Sequence, residues 1–178
     1  MKLNLPKRAL SLAVIGASVL GVSVIGTGSA SAASWDCESE KHNMDDEAYD
    51  GPAPDNFNIT VKNCIKAAGS YVYAKSKVTF DFLPNYGPPM SNTFDSAQFR
   101  LNVNRPRSGT DSVYLKKDYN LLDDFDRMNA SGNGSTWTRT FKVYVGSKKA
   151  YTDGTLRFNW QNDGKGVKSY GYPKSPTV

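Results

Sequence analysis

The chain has 178 residues, with 22 Lys and Arg against 17 Asp and Glu and a formal net charge of +5. This length suits one domain with a modest core. One His and two Cys leave little for a zinc or copper site, or for a base held rigidly beside a nucleophile.

The N-terminus reads as an export signal. Lys2, Lys7 and Arg8 precede an uncharged apolar run over 9–26, and Ala30, Ser31 and Ala32 supply small residues for cleavage. Gly16, Gly21 and Gly26 argue against a permanent membrane helix. The expected division is a signal peptide over 1–33, an acidic arm and linker over 34–56, and a β domain over 57–178. No second apolar run follows, so the mature protein is expected to be secreted, with no membrane contact after signal removal. In an exported chain the pair Cys37 and Cys64 is expected to form a disulfide. It would close a loop of about 28 residues, worth ~3.5 kcal/mol by chain entropy, and tie the arm to the first strand of the body.

Charge is unevenly spread. Between Ser34 and Asn56 one Lys stands against eight carboxylates, a net of −7, and the arm holds every Glu: Glu38, Glu40 and Glu47. From Phe57 onward 18 Lys and Arg stand against nine Asp, a net of +9. Two readings follow: the arm folds back onto its own basic body, or it reaches into a partner. In the second, Trp35 is an apolar anchor among Asp36, Glu38 and Glu40, and docking is hastened by long-range attraction. The segment Asp50-Gly51-Pro52-Ala53-Pro54-Asp55 reads as a stiff linker or turn.

From Phe57 onward residues alternate with the period of half-buried strands. Phe57, Ile59 and Val61 begin the series. Val72, Ala74, Val78, Phe80 and Phe82 continue it, with Tyr71, Tyr73, Lys75, Lys77 and Thr79 on the opposite face. Phe99, Leu101 and Val103 follow, then a shorter strand from Val113. One strand is expected through Trp137, Phe141, Val143 and Val145, another through Leu156, Phe158 and Trp160, and a last near 167–170. Asp153-Gly154 reads as a tight hairpin turn and 162–166 as another turn, whereas 84–89 and 129–135 read as loops. Leu121, Leu122, Phe125 and Met128 stand at the spacing of a short helix. The predicted fold is all-β: an antiparallel β-sandwich of about seven strands, with the arm tied on by one disulfide. A closed barrel is the alternative.

The residues predict no catalytic site, no metal site and no cofactor. His42, the lone histidine, falls in the arm, where a flexible base would be a poor one. Asp123, Asp124 and Asp126 read first as a solvated loop, second as a calcium site, third as a catalytic pair of a small hydrolase. The expected binding residues are Trp35, Asp36, Glu38 and Glu40 in the arm and Tyr71, Tyr73, Lys75 and Lys77 on one strand face, where rings and cations could hold a peptide or stack a sugar. Tyr170 and Tyr172 form a second, weaker aromatic patch. Another secreted protein is the expected partner, with a glycan or cell-wall polymer as the alternative. Nucleic acid is not expected, because the net charge after signal removal is small and the protein is exported.

Taken together, the signal segment, the Cys37 and Cys64 pair, the acidic arm and the compact β body resemble, in architecture, the small secreted adaptor subunit of bacterial umbrella toxin particles. The resemblance implies an adaptor linking lectin-bearing subunits to a repeat-containing toxin stalk through protein contacts. No diagnostic motif accompanies it, and no family residue is carried over.

Overall fold

Two antiparallel sheets face each other across one apolar core. The computed structural model describes residues 33–50, 57–82, 93–127 and 133–178. The expected signal peptide up to residue 32, the linker after Asp50, the 84–89 loop and Met128 lie outside them. Nine strands and one helix are described: β1 (Asp36–Met44), β2 (Phe57–Ala68), β3 (Tyr71–Phe82), β4 (Phe94–Arg105), β5 (Ser112–Asn120), α1 (Leu122–Arg127), β6 (Asn133–Trp137), β7 (Phe141–Tyr144), β8 (Tyr151–Trp160) and β9 (Val167–Tyr172). The first sheet runs β1-β2-β3-β6, with β7 also on β3; the second runs β5-β4-β8-β9.

Alternation explains both sheets. Phe57, Ile59, Val61 and Ile65 of β2 and Val72, Ala74, Val78 and Phe80 of β3 are buried against Phe99, Leu101 and Val103 of β4 and Leu156 and Phe158 of β8. Phe57, Phe94 and Trp160 pack ring on ring, as do Phe80, Phe94 and Phe158 around Phe125 of α1. Polar groups tie the sheets together inside this core. Asn63 donates to the Pro173 carbonyl at 2.9 Å and accepts from the Ser76 hydroxyl at 2.6 Å, and Tyr172 donates to the Ile59 carbonyl at 3.2 Å. Each bond satisfies a buried group that would otherwise cost free energy.

The strand count exceeds the expected seven for two reasons. The segment from 36 to 44 is itself a strand, lying along β2 in continuous register from Asp36 opposite Ile65 to Met44 opposite Phe57. The arm therefore folds onto its own body, as the first of the two charge readings had it. In addition, the single strand expected through 137–145 is split: β6 pairs with the far half of β3 and β7 with its near half. Between them Thr138 bends away, its N–H donating to the Ser76 carbonyl and its Oγ1 accepting from the Ser76 N–H, both at 2.9 Å. Strand β6 also begins at Asn133, inside the expected 129–135 loop.

One turn expectation is corrected. Asp153-Gly154 is no hairpin but the interior of β8, with Gly154 opposite Leu101. A Cβ on Gly154 would sit 2.2 Å from Phe99 Cζ, so the glycine is required by a ring crossing from β4. The turn leading into β8 instead uses Gly146, at φ 62°. The turn over 162–166 is present, with Asn162, Gly164 and Gly166 all at positive φ. Helix α1 begins where expected, its first turn capped by Asn120 Oδ1 accepting the Leu122 N–H at 3.0 Å.

Candidate functional site

The outer face of the first sheet is built from the residues that alternate with the core. Side chains opposite each other on paired strands share a face. Reading the register across β7, β3 and β2 gives Tyr144 beside Tyr71, then Lys142 beside Tyr73 beside Lys66. The next row places Lys75 beside Cys64 and Cys37, and the next Trp137 beside Lys77 beside Lys62. Lysines and aromatic rings thus interleave over four strands.

The contacts are cation–π. Lys66 Nζ lies 5.0 Å from the Trp35 ring centre and 5.3 Å from that of Tyr73. Lys75 Nζ sits between Trp35, at 4.5 Å, and Trp137, at 4.4 Å. Lys142 Nζ is 4.1 Å from the Tyr71 ring, and Tyr71 meets Tyr144 edge to face at 5.4 Å. Tyr71 is 38%, Trp137 47% and Tyr144 66% exposed, while Trp35 and Tyr73 are half-buried. Each such pair contributes on the order of 0.5–1 kcal/mol at an exposed site. A ring neutralises no charge, however. Among the described residues no carboxylate is within 4 Å of the ammonium of Lys62, Lys66, Lys75, Lys77 or Lys142; Asp81, at the far end of the face, pairs with Lys41 at 3.8 Å.

This geometry regroups the expected binding residues. Trp35, Tyr71, Tyr73, Lys75 and Lys77, read from the sequence as two separate candidates, meet on one surface. Asp36, Glu38 and Glu40 do not join them: they stand opposite Ile65, Asn63 and Val61, in the register of the core face, and are exposed because β1 is the sheet edge. Inward-register charges on an edge strand discourage further strand pairing. Lys66, Trp137, Lys142 and Tyr144 belong to the site and were not singled out. The outward spacing of Lys62, Cys64 and Lys66 on β2 was a usable signal; the partners on β6 and β7 become neighbours only through pairing.

The disulfide Cys37–Cys64 is formed, with a Cα–Cα distance of 4.1 Å between directly opposed residues. It lies in the same row as Lys75 and fixes Trp35, two residues upstream, over the lysines.

The remaining candidates resolve differently. His42 is not on a flexible arm: it is half-buried on β1, its ring edge-on to Tyr172 at 4.7 Å and its Nε2 3.1 Å from Glu40 Oε1. Tyr170 and Tyr172 form no surface patch; Tyr170 packs against the core and Tyr172 is buried at 6% exposure. Burial foremost, then the Glu40 charge, raises the Tyr172 phenol far above its ordinary pKa. Asp123 and Asp124 stand in the first turn of α1, where carboxylates complement the helix dipole. Among the described residues no group of three or more His, Cys, Asp or Glu is arranged to hold a metal ion, and no helix is long and apolar enough to cross a membrane.

Fold and face together define a disulfide-bonded, two-sheet antiparallel β protein bearing an exposed lysine–aromatic surface. No family model matches the chain, and no curated protein matches it. Among solved structures it has a loose likeness to the KRT10-binding region domain of the pneumococcal serine-rich repeat protein PsrP. That match has a TM-score of 0.30 and 10% identity, covering 79% of this chain and 99% of that one.

Proposed function

We propose that this chain is a secreted, non-catalytic binding module that receives an acidic protein partner on the outer face of its first sheet. The observation that carries the reading is the set of lysines stacked on rings rather than paired with carboxylates. Such a face keeps its positive field, attracts acidic surfaces at long range, and offers flat apolar area once they arrive. The disulfide is compatible with an extracellular setting. In its finer form the reading makes the module an adaptor in an extracellular toxin particle, which rests on the architectural resemblance given above.

A glycan partner is supported by the same rings, since sugars stack on exposed aromatic faces. Trp35 argues for the protein partner, because Lys66 and Lys75 both lie against its ring and compete with a sugar for it.

The test is capture of the partner from the producing cells' culture fluid by the tagged protein. A Lys75→Glu/Lys142→Glu variant should lose it, whereas Arg157→Glu on the outer face of the second sheet should retain it. Raised salt should weaken capture by the unaltered protein. Undiminished capture by the lysine variant refutes the reading, and capture of cell-wall polysaccharide alone selects the glycan.

A further inference from the structure

Beyond Tyr71 the lysine–aromatic face runs into a cavity of about 230 Å³ between the β2–β3 turn and the β7–β8 turn. Its lining is apolar where it meets the core, at Val72 and Val145, and cationic at Lys148 and Lys149, both exposed. Tyr71 belongs to both surfaces, since it lines the cavity and its ring receives the Lys142 ammonium.

The cavity is held open by backbone. The Val145 and Gly146 N–H groups both donate to the Ser70 carbonyl, at 3.0 and 3.1 Å, joining the two turns across the sheet end. Gly69 and Gly146 take the positive φ these turns require. A site formed by bonded turns loses little entropy when filled. The volume is many times the ~10–15 Å³ that one water needs. An anion alone would leave the Val72 and Val145 surface in contact with water, and an apolar group alone would ignore the two lysines.

We infer that this cavity is the anchor socket of the same binding face: it takes one leucine-sized side chain from an acidic protein segment, whose flanking carboxylates meet Lys142, Lys148 and Lys149. The inference rests on the proposed function. A flat charged face sets association rate and orientation, while residence time comes from a side chain buried in a pocket. The face and the cavity, joined at Tyr71, divide these tasks.

Two short synthetic peptides test it, each of Asp, Glu and Ser, identical except that one carries a central Leu where the other has Ser. Fluorescence anisotropy at low salt gives their affinities. The Leu peptide should bind the unaltered protein about tenfold tighter, from burial of one aliphatic side chain. Filling the socket by Ser147→Trp, or from the β2 side by Ala67→Trp, both exposed positions lining it, should erase that gap and leave the Ser peptide unaffected. Equal binding of the two peptides, or a gap surviving both fillings, overturns the socket while leaving the face reading intact. Binding of both peptides undiminished by Lys75→Glu/Lys142→Glu overturns the face reading, and failure of both peptides to bind the unaltered protein overturns the two together.

Discussion

Asp46 provides the most demanding test of how the arm is fastened. It follows β1 in a turn, is 2% exposed, and faces the second sheet rather than the lysine face of the first. Its Oδ2 accepts from Lys168 on β9, and its Oδ1 accepts from Lys165 at 3.3 Å and from the Ala48 N–H at 3.1 Å. Burial works to raise the pKa of this carboxyl, but the Lys168 bond, the Ala48 N–H and Lys165 outweigh it and hold the group at about 2 against an ordinary 3.8. Close to two pH units correspond to at most about 2–3 kcal/mol. Lys165 is half-exposed and Lys168 nearly a third exposed, so solvent screening reduces this to about 1–2 kcal/mol. Asp46 therefore adds its full stability above the unfolded pKa and loses it as pH falls from about 4 toward 2. Urea denaturation of the protein and of Asp46→Asn should differ by about 1–2 kcal/mol at pH 7 and converge near pH 2, where the native carboxyl takes up its proton. Comparing the two proteins cancels other carboxylates that also titrate below their ordinary range, such as Asp118, held down chiefly by its Arg100 hydrogen bond. Equal stabilities at pH 7, or a gap that persists undiminished at pH 2, would refute the clamp.

Three further outcomes follow from particular contacts. Gly154→Ala should destabilise by about 1–3 kcal/mol in urea, because its methyl would collide with the buried Phe99 ring, and Phe99→Leu in the same chain should recover part of that; an unchanged midpoint would contradict the close approach. Cys37→Ser/Cys64→Ser should cost ~3.5 kcal/mol by loop entropy, and the native protein should show a similar loss when unfolded with reductant. Trp35→Ala should cost about 1–2 kcal/mol of stability, since it loses two cation–π contacts at a half-buried ring, yet it should weaken capture of the proposed acidic partner; a variant as competent as the native protein would remove Trp35 from the site.

The body of the fold was legible because its strands each bury one face. Alternation placed β2, β3, β4 and β8 and identified the outward row of Tyr71, Tyr73, Lys75 and Lys77. Strand β1 was not legible. Its sequence, Asp-Cys-Glu-Ser-Glu-Lys-His-Asn-Met, has no apolar period, since an edge strand whose inward positions reach past the core needs no hydrophobic alternation. Gly154 misled for a related reason: Asp-Gly carries turn chemistry locally, and the ring that forbids a side chain there lies more than fifty residues away in sequence. The lysine–aromatic site was half visible, since the β3 residues declare themselves by period and Trp35 by composition. That they share a face depends on register, which composition does not encode.

Register is what gives the charge asymmetry its consequence. On the outer side of the second sheet the carboxylates are partnered within the sheet: Arg100 makes a two-pronged bond to Asp118 at 2.6 and 2.8 Å, Asn102 and Asn104 both donate to Asp153, and Asn159 donates to Asp95. The first sheet had acids at hand to do the same, in Asp36, Glu38 and Glu40, and its register turns them away. A slip of β1 by one residue against β2 would exchange its faces and lay those three carboxylates beside Lys62 and Lys66. Cys37 opposite Cys64 forbids that slip covalently and delivers Trp35 to the lysine side instead. The register that buries Met44 and forms the disulfide is thus also the one that leaves the five lysines with no arm carboxylate beside them. In the proposed function those lysines are the charge that an acidic partner meets.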